Sequence, residues 1–197
     1  MLAIKQNLPL IARRGWTVEE FERLAEMGFF APDEKLELIE GEIVAKMTQN
    51  PPHAIAVRLM DIALHRAFGQ GFDIRCQLPL TLESGNRPEP DLAVVEGAPR
   101  DFLQSHPTSA VLVVEISDAT LIQDREVKSG IYARAGIAEY WIVNLVERVV
   151  EVRREPQVDE TQPLGFGYKR LARLSESETL APLSEPQNAI AVADLLP

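Results

Sequence analysis

The chain has 197 residues, a length that suits one domain, and its 46% apolar content is enough for a buried core. The formal net charge of −10 argues against a broad electropositive surface, so a polyanionic substrate would have to be held locally. The longest apolar runs contain about five residues, far short of the roughly 20 that span a bilayer.

The start of the chain and its single cysteine bear on the cellular compartment. Residues 1–9 lack a basic start followed by a continuous apolar segment, so they do not have the pattern of a secretory signal. Cys76 cannot form an internal disulfide and fits a reducing compartment. We therefore expect a cytoplasmic protein with no membrane span.

The first part of the chain predicts a helix, a hairpin and a second helix. A Thr-x-x-Glu capping box begins at Thr17, and apolar residues at helical spacing follow it. Alternating residues on both sides of a tight turn at Gly41 predict the hairpin. Two prolines from Pro51 onward stop the extended structure. The predicted elements are a helix from 17 to about 28, a hairpin over 36–47 and an amphipathic helix from 53 to about 68.

Strand signals dominate the remainder of the chain. Runs of β-branched and apolar residues predict strands, and one helical segment that ends at Gly136 separates two of them. Such a strand-helix-strand crossover indicates a mixed sheet. The predicted strands are 72–82, 90–95, 111–116, 139–144, 149–153 and 168–174, the helix runs from about 122 to 135, and 155–167 is predicted to be a polar mobile loop.

No internal repeat or second-domain boundary is visible in the sequence. We expect one α/β domain over residues 1–197, with a central mixed β-sheet flanked by α-helices. Residues 1–14 are predicted to form an N-terminal arm, and residues 168–197 a C-terminal extension of the same domain.

Two carboxylates border the buried strands of this pattern. Asp91 precedes one apolar run and Glu115 ends another. On the following helix, Asp124, Lys128 and Tyr132 are spaced four apart and share one stripe, so Lys128 can reach over the sheet edge. Ionised carboxylates beside an apolar core are costly unless a cation compensates them. The pattern therefore predicts a metal site held by Asp91 and Glu115.

The ligand types indicate which metal and which reaction to expect. Carboxylate oxygens favour Mg²⁺ or Mn²⁺, whereas zinc usually takes histidine or cysteine at close spacing, which this sequence lacks. Such an ion polarises a phosphoryl oxygen and lowers the pKa of a bound water, which makes phosphodiester hydrolysis the natural reaction class. The ammonium of Lys128 suits a group that orients or deprotonates the water, or offsets charge in the transition state. A structural ion-pair network at Asp91 and Glu115 is the alternative.

A longer set of positions carries a family resemblance. It comprises Pro90-Asp91, Glu115-Ile116-Ser117, Asp124, Arg125, Lys128, Tyr132, Ala133 and 136–143, with 37–42 and Pro52-His53 upstream. Over roughly residues 17–154, with a weak tail at 193–196, the chain resembles the putative restriction-endonuclease family within the PD-(D/E)XK nuclease superfamily. The fold that this resemblance implies is a restriction-endonuclease-like core.

The resemblance also implies roles for particular residues. The superfamily pattern has a lysine two residues after the glutamate, where this chain has Ser117, so Lys128 is expected to supply the catalytic cation. Glu40 is expected to be a supplementary acidic group near the metal, with a plain hairpin-turn carboxylate as its alternative. His53 is expected to bond a scissile phosphate or a metal-bound water, with a helix cap as its alternative.

The function implied by the resemblance is a metal-dependent endonuclease that hydrolyses phosphodiester bonds in DNA. A homodimer is expected with it, because cutting both strands of a duplex calls for two sites. Two alternatives stay open. One is a catalytically silent nuclease-fold binding or assembly module, which the acidic surface and the displaced lysine favour. The other is a metal-dependent phosphodiesterase acting on RNA or small phosphoesters.

Overall fold

The structure of the protein, a computed structural model, describes residues 14–46 and 48–197. The N-terminal arm expected over residues 1–14 lies outside the described residues, apart from Arg14. None of the helices within the described ranges combines the length and the apolar character that crossing a bilayer requires.

The first described elements are a capped helix and a hairpin, as the sequence predicts. Helix α1 (Val18–Glu26) begins at a capping box in which Thr17 Oγ1 accepts from Glu20 N and the Glu20 carboxylate accepts from Thr17 N. Strands β1 (Leu36–Ile39) and β2 (Glu42–Ala45) then pair antiparallel.

The long helix α2 (Pro51–Ala67) follows the hairpin. It opens with two prolines, which the first turn tolerates because its N–H groups have no intrahelical partner. Asn50 caps it, with Oδ1 accepting from His53 N at 3.0 Å. Its buried face packs on the central sheet through Ala56, Val57, Met60, Ala63, Leu64 and Ala67.

A six-stranded mixed sheet forms the centre of this α/β fold. Its strands are β3 (Phe72–Cys76), β4 (Leu92–Glu96), β5 (Leu112–Ser117), β6 (Glu139–Asn144), β7 (Val149–Val158) and β8 (Phe166–Ser175). The order in the sheet is β3-β4-β5-β6-β7-β8. Strands β5 and β6 run parallel, and the other neighbouring pairs run antiparallel.

The parallel pair requires a crossover connection, and a helical segment supplies it. It consists of α3 (Leu121–Gln123), a π-helical stretch (Asp124–Lys128) and α4 (Ser129–Arg134), which we call together the crossover helix. The predicted helix and the predicted strand-helix-strand unit are both found here. The π-helical stretch carries Asp124 and Lys128, and both side chains are buried.

The sheet separates two apolar layers, because successive strand residues point to opposite faces. Leu92 and Val94 of β4 face α2, whereas Ala93 and Val95 face the crossover helix. In β5, Val113 likewise faces the crossover helix. Glu115 has the same parity as Val113, so it points to the crossover helix side of the sheet.

The C-terminal part corrects one element of the sequence prediction. Residues 155–167 were predicted to form a mobile loop, but β7 continues to Val158 and β8 begins at Phe166. The connection is therefore 159–165, and its Leu164 packs against Gly130 of α4.

The last segment forms β9 (Thr179–Leu180) and β10 (Ile190–Ala191) and adds apolar side chains to the α2 layer. The strand predicted over 72–82 is also shorter, ending at Cys76.

The backbone approaches closely at the turn of the β1–β2 hairpin, and this approach yields a prediction. Gly41 has a φ of 75°, and a Cβ there would lie 2.8 Å from Gly15 Cα. Gly28 has a similar φ of 69° but open space around it. We expect Gly28→Ala to cost about 1 kcal/mol of unfolding free energy through φ alone. Gly41→Ala adds a backbone clash and should cost about 2–3 kcal/mol.

Urea denaturation of the wild type and both variants measures this difference. Equal costs for Gly28→Ala and Gly41→Ala would show that the backbone at Gly15 relaxes freely, and the contact would not hold the hairpin.

Candidate active site

Asp91 and Glu115 lie side by side where β4 meets β5. Leu92 pairs with Val114 in the antiparallel register, which brings the preceding Asp91 beside Glu115. Each carboxylate accepts from the other segment's backbone: Asp91 N donates to Glu115 Oε2 at 3.3 Å, and Ile116 N donates to Asp91 Oδ2 at 2.9 Å. Asp91 is 2% exposed and Glu115 is 4% exposed, so both charges lie in the protein interior.

Lys128 reaches Glu115 from the crossover helix, as the helical spacing predicts. Its Nζ lies 3.3 Å from Glu115 Oε1, and Tyr132 OH donates to the same oxygen at 2.7 Å. Nζ also donates to Glu37 Oε1 at 2.5 Å. Burial lowers the pKa of Lys128, but the carboxylates of Glu115 and Glu37 outweigh burial, and the net pKa is raised. The ammonium is therefore protonated at neutral pH.

Glu37 and Lys46 belong to this cluster, although the sequence analysis did not select them. Glu37 is a buried residue of β1 that accepts from Glu89 N at 2.6 Å as well as from Lys128. Lys46 follows β2, and its Nζ lies 3.1 Å from Asp91 Oδ1. The signal that could have revealed Glu37 is a carboxylate among the apolar residues of β1. For Lys46 we find no such signal.

His53 reaches the cluster from the first turn of α2. Its Nε2 lies 3.2 Å from Asp91 Oδ2, an ion-pair distance without a well-directed hydrogen bond. Burial lowers the pKa of His53, but the carboxylate of Asp91 raises it by more, and the net pKa is above its ordinary value. The backbone N–H of His53 is bonded to the cap residue Asn50. His53 thus lies in the first turn of α2, where Asn50 rather than His53 is the cap, and its imidazole lies beside Asp91.

Glu40 lies outside this cluster. Its expected position as an acidic group near the metal is therefore corrected. It occupies the hairpin turn with a φ of 51°. Its carboxylate pairs with Arg134 and accepts from Asn86 Nδ2 at 3.0 Å. The hairpin carboxylate that does reach the cluster is Glu37. Glu40 lies at the turn because β1 ends at Ile39, so the structure supports the hairpin-turn alternative.

A small cavity of about 60 Å³ lies among these side chains, and space of this order can hold a small ion with a few waters. Its polar and charged lining consists of Glu37, Lys46, Gln49, His53, Asp91, Glu115, Thr120, Gln123, Asp124 and Lys128. A larger cavity of about 740 Å³ lies between α2 and the C-terminal segment, but it has only Arg66 and Asp194 as charged lining. We place the candidate active site at the smaller cavity because the reactive groups converge there.

The charges around the cavity do not balance. Four carboxylates (Glu37, Asp91, Glu115 and Asp124) face two lysines (Lys46 and Lys128), which leaves a charge of −2 when all are ionised and His53 is neutral. Burial, with a further contribution from Asp91, raises the pKa of Glu115 to about 7 against the opposing effect of Lys128. Burial also raises the pKa of Asp124. The cluster is therefore short of positive charge.

The donor set fits magnesium or manganese better than a metal that needs many protein ligands. Within 14–46 and 48–197, no three His, Cys, Asp or Glu side chains are grouped to hold an ion. Asp91 and Glu115 would supply two carboxylates. Mg²⁺ commonly binds through one or two carboxylates and keeps several waters.

A family model described as "Putative restriction endonuclease" matches residues 18–193 of the chain. The chain belongs to the Uma2 family. The match confirms the family resemblance seen in the sequence. The matched range continues past residue 154 to residue 193. Membership of the Uma2 family supports a nuclease role, and the matched range contains Asp91, Glu115 and Lys128.

The fold of this Uma2 family chain also has a solved counterpart. It is similar to the crystal structure of a putative nuclease belonging to DUF820 from Anabaena variabilis ATCC 29413, with a TM-score of 0.67 and 15% sequence identity. The likeness covers 91% of this chain and 96% of that chain, and it confirms the predicted α/β nuclease fold. No curated protein matches the chain.

The raised pKa of Glu115 predicts how stability depends on pH in the metal-free protein. A folded-state pKa of about 7, above the ordinary value of 4.5, means that the folded state binds the proton more tightly than the unfolded chain. That advantage is present at low pH and is lost as pH rises through 7. We expect the free energy of unfolding to fall between about pH 5 and 8, by at most about 3 kcal/mol from Glu115.

Urea denaturation across this pH range, on the wild type and Glu115→Gln, measures the effect. The glutamine cannot ionise, so the variant should show a flatter profile. Profiles of equal slope would assign the dependence to other groups. Asp91 does not contribute to the slope in this range, because its pKa is lowered below its ordinary value of 3.8 and its contribution changes below about pH 4. His53, whose pKa is raised, contributes a slope of the same sign in both proteins.

Proposed function

We propose that this chain is a metal-dependent endonuclease that hydrolyses phosphodiester bonds in DNA. The observation that carries the proposal is the convergence of Asp91, Glu115 and Lys128, from two strands and the crossover helix, on one buried acidic cavity. The nuclease role of the Uma2 family points the same way.

The carboxylates of Asp91 and Glu115 would hold Mg²⁺ or Mn²⁺. When bound, the ion supplies Lewis acidity that polarises a phosphoryl oxygen and lowers the pKa of a coordinated water. With every carboxylate ionised and His53 neutral, the surplus of two negative charges around the cavity suits a divalent cation. Backbone N–H donors from the opposite segment fix both carboxylates, so they are oriented before any ion arrives.

Lys128 would act as a fixed positive charge rather than as a base. Its pKa is raised, so it does not accept a proton at neutral pH. Two carboxylates hold its ammonium at the cavity wall, where it can donate to a phosphate oxygen and offset charge that develops there in the transition state. Tyr132 positions Glu115 by donating to Oε1.

His53 and the wider protein would contribute to substrate binding. His53 lines the cavity beside Asp91, where its imidazole could hydrogen-bond a phosphate or a metal-bound water. Since the whole chain carries a charge of −10, the DNA backbone must be held locally by cationic side chains near the cavity. A homodimer remains part of the proposal, because each site cuts one strand.

One observation favours a second candidate, a nuclease-fold binding module without catalysis. Each metal-ligand candidate is already paired with a lysine: Asp91 with Lys46 and Glu115 with Lys128. Ion pairs of this kind can be purely structural. A hydrolase acting on RNA or small phosphoesters would use the same groups as the DNA enzyme, so substrate assays have to separate the two.

Calorimetric titration with Mg²⁺ and Mn²⁺ tests the metal site. We expect the wild type to bind an ion and Asp91→Ala to bind it at least about tenfold more weakly, because one of two carboxylate ligands is lost. Asp33→Ala, which removes an exposed carboxylate between α1 and β1, is the control and should bind as the wild type does. Identical titrations for Asp91→Ala and the wild type would favour the binding module.

Cleavage assays on DNA, RNA and a chromogenic phosphodiester, each with Mg²⁺ and with Mn²⁺, test the substrate. We expect DNA cleavage, and a fall in kcat of about 100-fold or more in Lys128→Met because a transition-state donor is lost. Lys169→Met removes an exposed lysine of β8 and should leave kcat unchanged. A thermal melt of each variant checks folding, since Lys128→Met leaves two buried carboxylates unpaired. DNA left intact under both metals would contradict the proposal.

A further inference from the structure

Lys46 occupies a place in the cluster that the proposed chemistry does not use. It lies just after β2, where its backbone N–H donates to Lys35 O at 2.9 Å and closes the hairpin. Its side chain, 13% exposed, runs inward to the cavity. Nζ donates to Asp91 Oδ1 at 3.1 Å and to the backbone oxygen of Glu89 at 2.7 Å. A full positive charge therefore lies directly on a proposed metal ligand.

Both oxygens of Asp91 are surrounded by donors. Oδ1 accepts from Lys46 Nζ and, at 3.3 Å, from Gln77 Nε2. Oδ2 accepts from Ile116 N and has His53 Nε2 at 3.2 Å. A carboxylate oxygen offers about two lone-pair positions, and Lys46 and Gln77 account for those of Oδ1. An ion can coordinate Oδ1 only if one of these two donors moves away.

The four neighbours differ in how strongly an incoming cation would repel them. Ile116 N belongs to β5 and is fixed by the sheet. Gln77 donates through a neutral amide, and His53 carries a charge only when its imidazole is protonated. Lys46 carries a full charge at 3.1 Å from the oxygen, and like charges that share one ligand repel strongly where little water screens them. Lys46 is thus the neighbour that a divalent cation disfavours most.

Lys128 is held differently, so it is not the lysine that yields. Its Nζ lies between two carboxylates, Glu37 and Glu115, and its side chain projects from a helical stretch packed against the sheet. Lys46 has one carboxylate partner within ion-pair distance and one backbone oxygen. If the Glu115 carboxylate rotates to coordinate an ion, Lys128 still has its ion pair with Glu37. Among the residues of 14–46 and 48–197, Lys46 keeps the Glu89 carbonyl as its hydrogen-bond partner when it leaves Asp91.

We infer that Lys46 is the resident counter-cation of Asp91, and that Mg²⁺ or Mn²⁺ binds Oδ1 of Asp91 by displacing this ammonium. The inference rests on the proposed metal site. In the metal-free protein, Lys46 neutralises a buried carboxylate that would otherwise be costly. In the metal-bound protein the ion takes over that task, and the lysine side chain is released toward the cavity mouth. The competition between the two cations sets the metal concentration that the site requires.

Metal titrations of matched lysine variants test this competition by a readout other than activity. Lys46→Met removes the competing charge and keeps most of the side-chain volume, so we expect it to bind Mn²⁺ about tenfold or more tightly than the wild type. Lys46→Arg restores a cation and should return the affinity toward that of the wild type. Lys169→Met removes a positive charge from an exposed position on β8 and should change the affinity by less than about twofold.

The release of Lys46 can also be observed directly. Acetylation of the wild type, read by mass spectrometry, should modify Lys46 several-fold faster with saturating Mn²⁺ than without it, while Lys128 stays protected in the same molecules. Thermal melts of Lys46→Met and Lys46→Arg establish that both variants are folded under the conditions of the titration.

The outcomes separate this inference from the proposed function. If the wild type binds an ion that Asp91→Ala loses, yet Lys46→Met binds it no more tightly or acetylation of Lys46 does not change, the displacement is overturned and the metal site stands. If the wild type binds no ion at all, the proposed metal site falls, and the displacement falls with it.

Discussion

Two carboxylates buried side by side between β4 and β5 impose the main electrostatic constraint on this protein. Asp91 and Glu115 lie where an ionised group is expensive, and the surrounding segments compensate each of them with a lysine. The two lysines come from opposite directions: Lys128 from the crossover helix and Lys46 from the hairpin. The site is therefore complete only when both of these elements are docked on the sheet.

The hairpin of β1 and β2 consequently matters to the chemistry although it is not part of the central sheet. It carries Glu37 to Lys128 and Lys46 to Asp91. Backbone hydrogen bonds between Leu38 and Arg87, and from Trp16 to Gly41, anchor it to the neighbouring chain segments. Asn86 adds a bond to the turn at Glu40. A substitution at the hairpin turn can thus disturb the cavity without touching a residue that lines it.

The parts of the site that the sequence predicts are those that follow from local periodicity. Asp91 and Glu115 border apolar runs that can only be buried strands, and Lys128 lies at helical spacing from Asp124 and Tyr132. The parity of the strands then puts both carboxylates on the face that the crossover helix covers. These three positions also belong to the resemblance to the putative restriction-endonuclease family, so the sequence alone indicates them as site residues.

The errors arose where tertiary contacts decide the outcome. A carboxylate among the apolar residues of β1 marks Glu37 as buried, but nothing local leads Glu37 to Lys128 or Lys46 to Asp91, because the packing of the hairpin against other segments determines both contacts.

The region 155–167 was predicted to be a loop because it is polar. The outer part of β7, residues 155–158, is exposed or half-buried on both faces, so it lacks the apolar alternation that marks a half-buried strand. Backbone pairing of Val158 with Phe166 extends the sheet there nonetheless.

The most direct measurement of the central claim is anomalous diffraction from crystals of the protein grown with Mn²⁺. The account predicts one anomalous peak inside the cavity, at coordination distance from a carboxylate oxygen of Asp91 and one of Glu115. A well-ordered cavity with no peak, and with both carboxylates still paired to Lys46 and Lys128 at saturating Mn²⁺, would contradict it.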